Sequence, residues 1–230
     1  MLMKTLHRAA IGAALASTAL VAAPAHAGSS EGKWQIKVLG SAVLPDGKIS
    51  RVEKDLIGLP AGSQTKASDN VVPTLAVEYF FTPNISAETI CCTSSHHVTG
   101  AGALAGAAIV DHAVLIPATL TVKYHLPLSG GIKPYIGAGP ALYLWLGERP
   151  GAAAAGLGAA RVRLSNEVGA AVQAGVDIAL GNKGYGLSLD AKKYWVNTTA
   201  HFTTAGGVEA LTTRHKIDAW ILSAGVSYRF

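Results

Sequence analysis

Few side chains in this sequence are arranged so that they could do chemistry. His96 and His97 stand beside Ser94 and Ser95, and His112 follows Asp111. Nucleophilic catalysis needs a base held within hydrogen-bond reach of the nucleophile, and no spacing here fixes such a pair. His96, His97, His112, His201 and His215 are ligand types for a metal, but they fall between the regular segments and read as solvated histidines. Cys91 and Cys92 are adjacent. Neighbouring side chains of a strand point to opposite faces, so the two cannot bond without distorting the backbone. Free thiols, a strained vicinal disulfide and links between chains are the states open to them. No cofactor motif is present, and the chain reads as a non-enzyme.

The informative set is one of charges. Glu78, Glu88, Asp177 and Asp190 stand against Lys37, Lys123, Lys192 and Arg229, four of each sign, and each falls on the more polar side of an alternating run. Stepping out to those runs, a period of two gives eight candidate strands: residues 33–43, 74–81, 85–92, 119–126, 134–145, 167–180, 185–196 and 219–230. In the eighth, Trp220, Leu222, Ala224, Val226, Tyr228 and Phe230 share a face, opposite Ser223, Gly225, Ser227 and Arg229. Several runs reach the roughly 9–11 residues that a tilted strand needs to cross a bilayer. Connections of about 20–30 residues alternate strictly with tight ones such as Thr82-Pro83-Asn84 and Gly181-Asn182-Lys183-Gly184, as when short turns face the periplasm and long loops face outside. A soluble barrel gives no reason for that alternation.

Composition agrees. Of 230 residues, 14% are charged and 50% apolar, which excludes a disordered chain. No Lys/Arg cluster makes a nucleic-acid footprint. Residues 1–27 have a basic start (Lys4, His7, Arg8), an apolar run from Ala9 to Ala23, and Ala25-His26-Ala27, the pattern of a cleaved signal peptide. Without Lys4 and Arg8 the formal charge falls from +5 to +3. The most apolar later stretch, Val98 to Ala118, is broken by Asp111, His112 and Pro117 and is no convincing transmembrane helix. An exported chain this apolar has a closed membrane barrel open to it, because an open sheet edge cannot sit in lipid. The expectation is an all-β, eight-stranded antiparallel up-and-down transmembrane β-barrel over residues 28–230, in the outer membrane of a Gram-negative bacterium. Tyr228 and Phe230 form part of an aromatic girdle and resemble the signal read by the outer-membrane barrel assembly machinery.

The stretches Pro73-Thr74-Leu75, Tyr79-Phe80-Phe81-Thr82-Pro83-Asn84-Ile85, Pro117-Ala118-Thr119-Leu120, Lys133-Pro134-Tyr135-Ile136-Gly137-Ala138-Gly139, Gln173-Ala174-Gly175-Val176-Asp177 and Gly225-Val226-Ser227-Tyr228-Arg229-Phe230 follow one another over most of the chain. In that order they resemble the OmpW family of small outer-membrane barrels. The resemblance implies a narrow, partly hydrophobic passage for passive uptake of small hydrophobic molecules, with sideways exit between strands into lipid. It also implies a hydrophobic constriction, for which Ile90 is suited. Lys192 stands where a second bulky apolar residue would serve, which moves the expected constriction toward Tyr143, Trp145 and Tyr194.

Eight strands leave a lumen just wide enough to be filled by side chains. Lys37, Glu78, Glu88, Lys123, Asp177, Asp190, Lys192 and Arg229 are therefore expected to pair into a plug, since unpaired charges there are costly. Gly137, Gly139, Gly169 and Gly175 lower the bulk of one wall and mark a candidate cavity. Residues 100–108 are candidates for a short helix, and the Ala/Gly run 152–160 for a mobile loop. Expected partners are outer-membrane lipid, lipopolysaccharide, the assembly machinery and small hydrophobic solutes. Two alternatives stand beside the channel. One is a structural or surface-binding barrel engaging a host, phage or bacteriocin. The other is a lipid A deacylase-like enzyme, against which His125 falls inward and Ser129 in a turn.

Overall fold

The computed structural model describes residues 28–29, 31–126, 128 and 130–230; the expected signal peptide and Ser129 lie outside the described residues. Fourteen strands and one short helix follow in chain order: β1 (Trp34–Leu44), β2 (Lys48–Asp55), β3 (Ser63–Ala67), β4 (Asn70–Phe80), β5 (Ile85–Cys91), β6 (Ser94–Gly102), β7 (Ala108–His125), β8 (Ile132–Pro150), α1 (Ala152–Gly156), β9 (Ala159–Leu164), β10 (Glu167–Ala179), β11 (Tyr185–Trp195), β12 (Asn197–Thr204), β13 (Glu209–Lys216) and β14 (Trp220–Arg229). No helix among the described residues is long and apolar enough to cross a membrane.

Eight strands close on themselves antiparallel: β1 pairs with β4, β4 with β5, β5 with β7, β7 with β8, β8 with β10, β10 with β11, β11 with β14, and β14 back to β1. These are the eight runs of the sequence. Their alternation works inside out. In β1, Val38 is exposed while Lys37 and Leu39 are buried, and in β7 Leu120 and Val122 are exposed while Thr121 and Lys123 are buried. Only a lipid environment makes an apolar exterior of this kind stable. Trp34, Phe81, Tyr124 and Tyr185 ring one end, with Tyr185 and Tyr228 at 5.0 Å and Tyr228 and Phe230 stacked at 5.8 Å. Trp195 and Trp220 mark the other end. The short turns lie at the first end. In one, the Thr82 hydroxyl accepts from the Ile85 amide at 3.0 Å; another turns on Gly181 and Gly184, both with φ near +80°, a region where an L side chain is strained.

The expected long loops are wall instead. β2, β13, β12 and β9 form a second antiparallel sheet, and β3 joins β6, which itself pairs with the upper part of β7. The seam between β2 and β3 is closed by the Thr65 hydroxyl on Gly47 O (2.6 Å) and by Gln64 Nε2 on Ile49 O (3.2 Å). The seam between β8 and β9 is tied by the Leu164 amide on the Glu148 carboxylate (3.1 Å). The barrel is thus prolonged beyond the aromatic band. Residues 100–108 make no helix; they are a strand–turn–strand in which the Gly100 amide donates to Ala107 O at 2.7 Å. The Ala/Gly run holds helix α1, with Ala154 buried.

Candidate functional site

The site is the lumen, built in storeys by successive inward positions. Lowest is the charge plug. Lys37 Nζ (β1) lies 2.9 Å from Glu78, 3.1 Å from Glu88 and 3.1 Å from Asp177. Lys123 Nζ (β7) lies 2.9 Å from both Glu78 and Glu88. Lys192 Nζ (β11) lies 2.9 Å from Glu88 and 2.6 Å from Asp190. Glu88 therefore receives three ammonium groups. The Tyr135 hydroxyl donates to Asp190 at 2.9 Å, its ring centroid sits 3.6 Å from the Lys123 ammonium, and the Ser188 hydroxyl donates to Asp177. Side chains from seven of the eight strands so fill the cross-section, three ammonium groups against four carboxylates, and each ion has an opposite charge within reach, the condition under which buried ions are tolerated.

Arg229 is a correction to the expected network. Among the described residues it forms no ion pair; its Nε donates to Gly32 O at 2.6 Å and its guanidinium lies 3.5 Å from the Phe80 ring centroid. The glycine wall is a second correction, because the expected cavity is filled. A Cβ on Gly175 would come within 2.5 Å of the Tyr135 ring, and one on Gly137 within 2.9 Å of Lys123 Cγ. At Gly137 and Gly175 the missing side chain makes room for the plug; at Gly139 and Gly169 it makes room for a neighbouring strand, since a Cβ would come within 1.9 Å of Leu120 O and 2.1 Å of Trp195 O.

Ser86, His125 and Glu78 resemble a catalytic constellation but lack its logic. His125 Nε2 is 2.9 Å from both Ser86 Oγ and Glu78 Oε1, so one ring nitrogen meets both partners. A base oriented by a carboxylate through its other nitrogen is absent.

Above the plug comes an aromatic floor. Tyr143 and Tyr194 are fully buried with ring centroids 5.7 Å apart, Trp145 stands edge-on to Tyr143 at 6.5 Å, and Tyr194 Oη meets Thr119 Oγ1 at 3.2 Å. Ile90 and Cys92 are buried at this end of β5. Lys192 belongs one storey lower: its long stem carries the ammonium down to the plug and leaves the floor to the tyrosines.

Two apolar chambers lie above the floor. The lower, about 30 Å³, is lined by Trp145, His96, Val98, Val110, Ala113, Phe202, His215 and Ile217 among others. The upper, about 100 Å³, is lined by Ile49, Leu59, Leu104, Ile109, Ala154, Leu157, Leu211, Phe202 and His215 among others. Phe202 and His215 belong to both linings. His96 and His215, expected in solvated loops, are instead buried on lumen-facing strand positions. His215 Nε2 meets Thr213 Oγ1 at 2.7 Å and its Nδ1 meets Thr65 Oγ1 at 3.2 Å; burial pushes its pKa below the usual 6.5. His112 meets Ser95 at 3.1 Å, and His201 meets Glu209 at 3.3 Å. Among the described residues no group of three or more His, Cys, Asp or Glu is placed to hold a metal.

The wall beside the floor has an interruption. The pairing of β5 with β7 ends at Ile90–Thr119, and that of β6 with β7 starts at Ser94–Leu115, in the same register. Cys92 therefore faces Pro117 with no ladder bond between them. On the other side, β4 and β5 last pair at Leu75–Cys91, which sets Thr93 against Pro73. Neither proline has an amide hydrogen to give. Cys91 is exposed, Cys92 is buried, and both are free thiols.

A model of the OmpW family matches residues 30–230. The chain belongs to the OmpW family. The uncharacterised outer-membrane protein y4mB of Sinorhizobium fredii is 37% identical, covering 96% of this chain and 91% of its own. Outer membrane protein W of Vibrio cholerae is 26% identical, over 92% and 94%. The crystal structure of the outer membrane protein OprG from Pseudomonas aeruginosa superposes with a TM-score of 0.76 at 21% identity, covering 88% of this chain and 98% of that one. Membership and closed barrel together make this an outer-membrane protein whose apolar exterior faces membrane lipid. Within the family frame, sequence reasoning missed Phe202, the lumen-facing place of His215, and the setting of Pro73 and Pro117 on either side of Cys92–Thr93. The prolines were visible in alternating runs, where they signal a lost ladder bond. Phe202 was hidden in a polar run, between His201 and Thr203-Thr204.

Proposed function

We propose that this barrel is a passive entry route for small hydrophobic molecules. The solute enters the upper chamber, passes Phe202 and His215 into the lower one, stops above the plug, and leaves sideways into lipid at Cys92–Thr93. Ile90, Tyr143, Trp145 and Tyr194 line the turning point, while Lys192 and its carboxylate partners close the way to the periplasm. The observation that carries this reading is the succession of apolar chambers on an aromatic floor above the ion-paired plug, beside a wall segment flanked by two prolines. A ladder gap costs little to widen, whereas opening the plug would strip several buried ions of partners.

The route needs no covalent step, and the reading assigns the chain no catalysis. Lipopolysaccharide is the lipid expected around the outer end, and Tyr228 and Phe230 are the residues offered to the assembly machinery. The test is uptake of an alkylbenzene by cells lacking the protein and by cells complemented with it, with an ionic solute as control. Faster entry of the alkylbenzene alone is expected; equal entry overturns the proposal. A surface-binding barrel is the second reading, favoured by the closed lumen and by exposed tips at Leu56, Leu157 and Val208. It requires that exchanging those tips abolish the phenotype while lumen substitutions leave it intact.

A further inference from the structure

Side chains directly opposite one another across an antiparallel ladder lie close together on one face, so like charges placed there repel. The sheet β2–β13–β12–β9 sets two such pairs in neighbouring rows: Lys48 is opposite Lys216, and Arg51 is opposite Arg214. They stand on its outer face, because Ile49, Phe202 and His215, at the alternate positions, line the upper chamber from the inner side. The next outer row runs from Lys54 through Thr212 and His201 to Arg163, and above it Arg161 is opposite Thr203.

Carboxylates answer only part of this charge. Lys48 lies 3.1 Å from Asp46, and Arg214 lies 3.0 Å from Glu167. Glu209 is taken up by His201 and the Thr212 hydroxyl, and Glu53 falls at a bulge of β2. Among the described residues Arg51, Lys54, Arg161, Arg163 and Lys216 have no ion-pair partner, and all five are exposed. The facing half of the prolonged wall, formed by β3, β6 and the upper parts of β7 and β8, is balanced: Lys66 and Arg149 stand against Asp111 and Glu148. The excess is confined to one side.

Its height is also defined. Trp220 marks the outer end of the apolar exterior, with the Lys193 ammonium 5.3 Å from its ring centroid. Lys216 lies four residues from Trp220, roughly 13 Å along the strand. The lowest cations therefore stand at the level of the lipid head groups. Repulsion between such rows is relieved by an anion lying between them, and a phosphate suits it well, since its oxygens accept paired N–H donors from guanidinium groups.

We propose that this face is a docking surface for the phosphorylated glycolipid of the outer leaflet, whose head-group phosphates lie between the Lys48–Lys216 and Arg51–Arg214 rows. A soluble polysulfated glycan shares the charge, but nothing ties it to the tryptophan level. The surface is outside the wall, so the inference goes beyond the channel reading and does not depend on it.

The experiment is native mass spectrometry of the detergent-solubilised protein with an equimolar mixture of diphosphorylated lipid A and the same lipid stripped of phosphate. Wild type should favour the phosphorylated lipid about tenfold or more, as expected for several Lys or Arg side chains at a charged membrane surface. Lys48→Gln/Arg51→Gln/Lys216→Gln should lose that preference, while Lys66→Gln/Arg149→Gln on the facing half keeps it. A thermal scan separates docking from a structural role. Without lipid A the triple variant should unfold at the same temperature as wild type or higher, because the repulsion is gone; with diphosphorylated lipid A only wild type and the facing-half variant should gain stability. Equal binding of the two lipids, a preference that survives the triple variant, or one lost equally in the facing-half variant overturns the inference. So does binding of a heparin fragment in place of lipid A, which would assign the face to a soluble glycan.

Discussion

At the scale of single residues, the plug turns on Glu88. It is the one carboxylate that meets Lys37, Lys123 and Lys192 together. Glu88→Gln keeps the volume and removes the charge, which should lower stability by about 3–5 kcal/mol, the usual cost of breaking a buried ion pair. Urea unfolding in lipid vesicles, followed by tryptophan fluorescence, measures it. Gly175→Ala tests how the plug fits its wall. The added methyl meets Leu189 O at 2.4 Å and the Tyr135 ring at 2.5 Å, so the variant should unfold at lower urea, and Tyr135→Ala should recover only the part of that loss due to the ring. His215 gives a pH dependence of known sign. Its folded pKa lies below its unfolded value, so below about pH 6.5 the unfolded chain takes up a proton that the folded one refuses. The stability it lends is complete above that pH and declines as pH falls. Amide protection factors in β2 and β13, corrected for the intrinsic pH dependence of exchange, should therefore fall between pH 7.5 and 5.5 in the wild type, and more weakly in His215→Gln.

At the scale of elements, what decides the route is where ladders stop. Pro117→Val restores an amide opposite Cys92 and should close the interruption. Alkylbenzene uptake is then expected to fall several-fold while stability holds or rises; unchanged uptake would show that exit lies elsewhere. The same comparison explains what could be read from sequence. The eight lower strands were legible because lipid demands strong contrast: Val38 beside Lys37, Val122 beside Lys123. The upper strands face water on one side and a small chamber on the other, and β12 and β13 meet both demands with threonine, so contrast is lost. Register shifts at Phe202/Thr203, Thr212/Thr213 and Arg214/His215 break the period as well. Charge signs in the plug were readable from parity, but partners were not. Lys192 has the parity of a floor residue and sends its charge a storey down, while Arg229 has the parity of a plug residue and turns to backbone and a phenyl ring.

At the scale of the whole molecule, a barrel plugged near one end and chambered at the other separates ions from apolar solutes. Planar bilayers holding the protein should show no stepwise ion current, a measurement independent of uptake. The prolonged wall has a further bearing on how a cell surface is recognised. Because β2, β6, β9, β12 and β13 are paired strands, the parts free to vary are the hairpin tips near residues 56–62, 103–107, 151–158 and 205–208. Antibodies raised against intact bacteria should map to those tips, and an epitope tag spliced between Ala205 and Val208 should be displayed clear of the envelope without disturbing assembly.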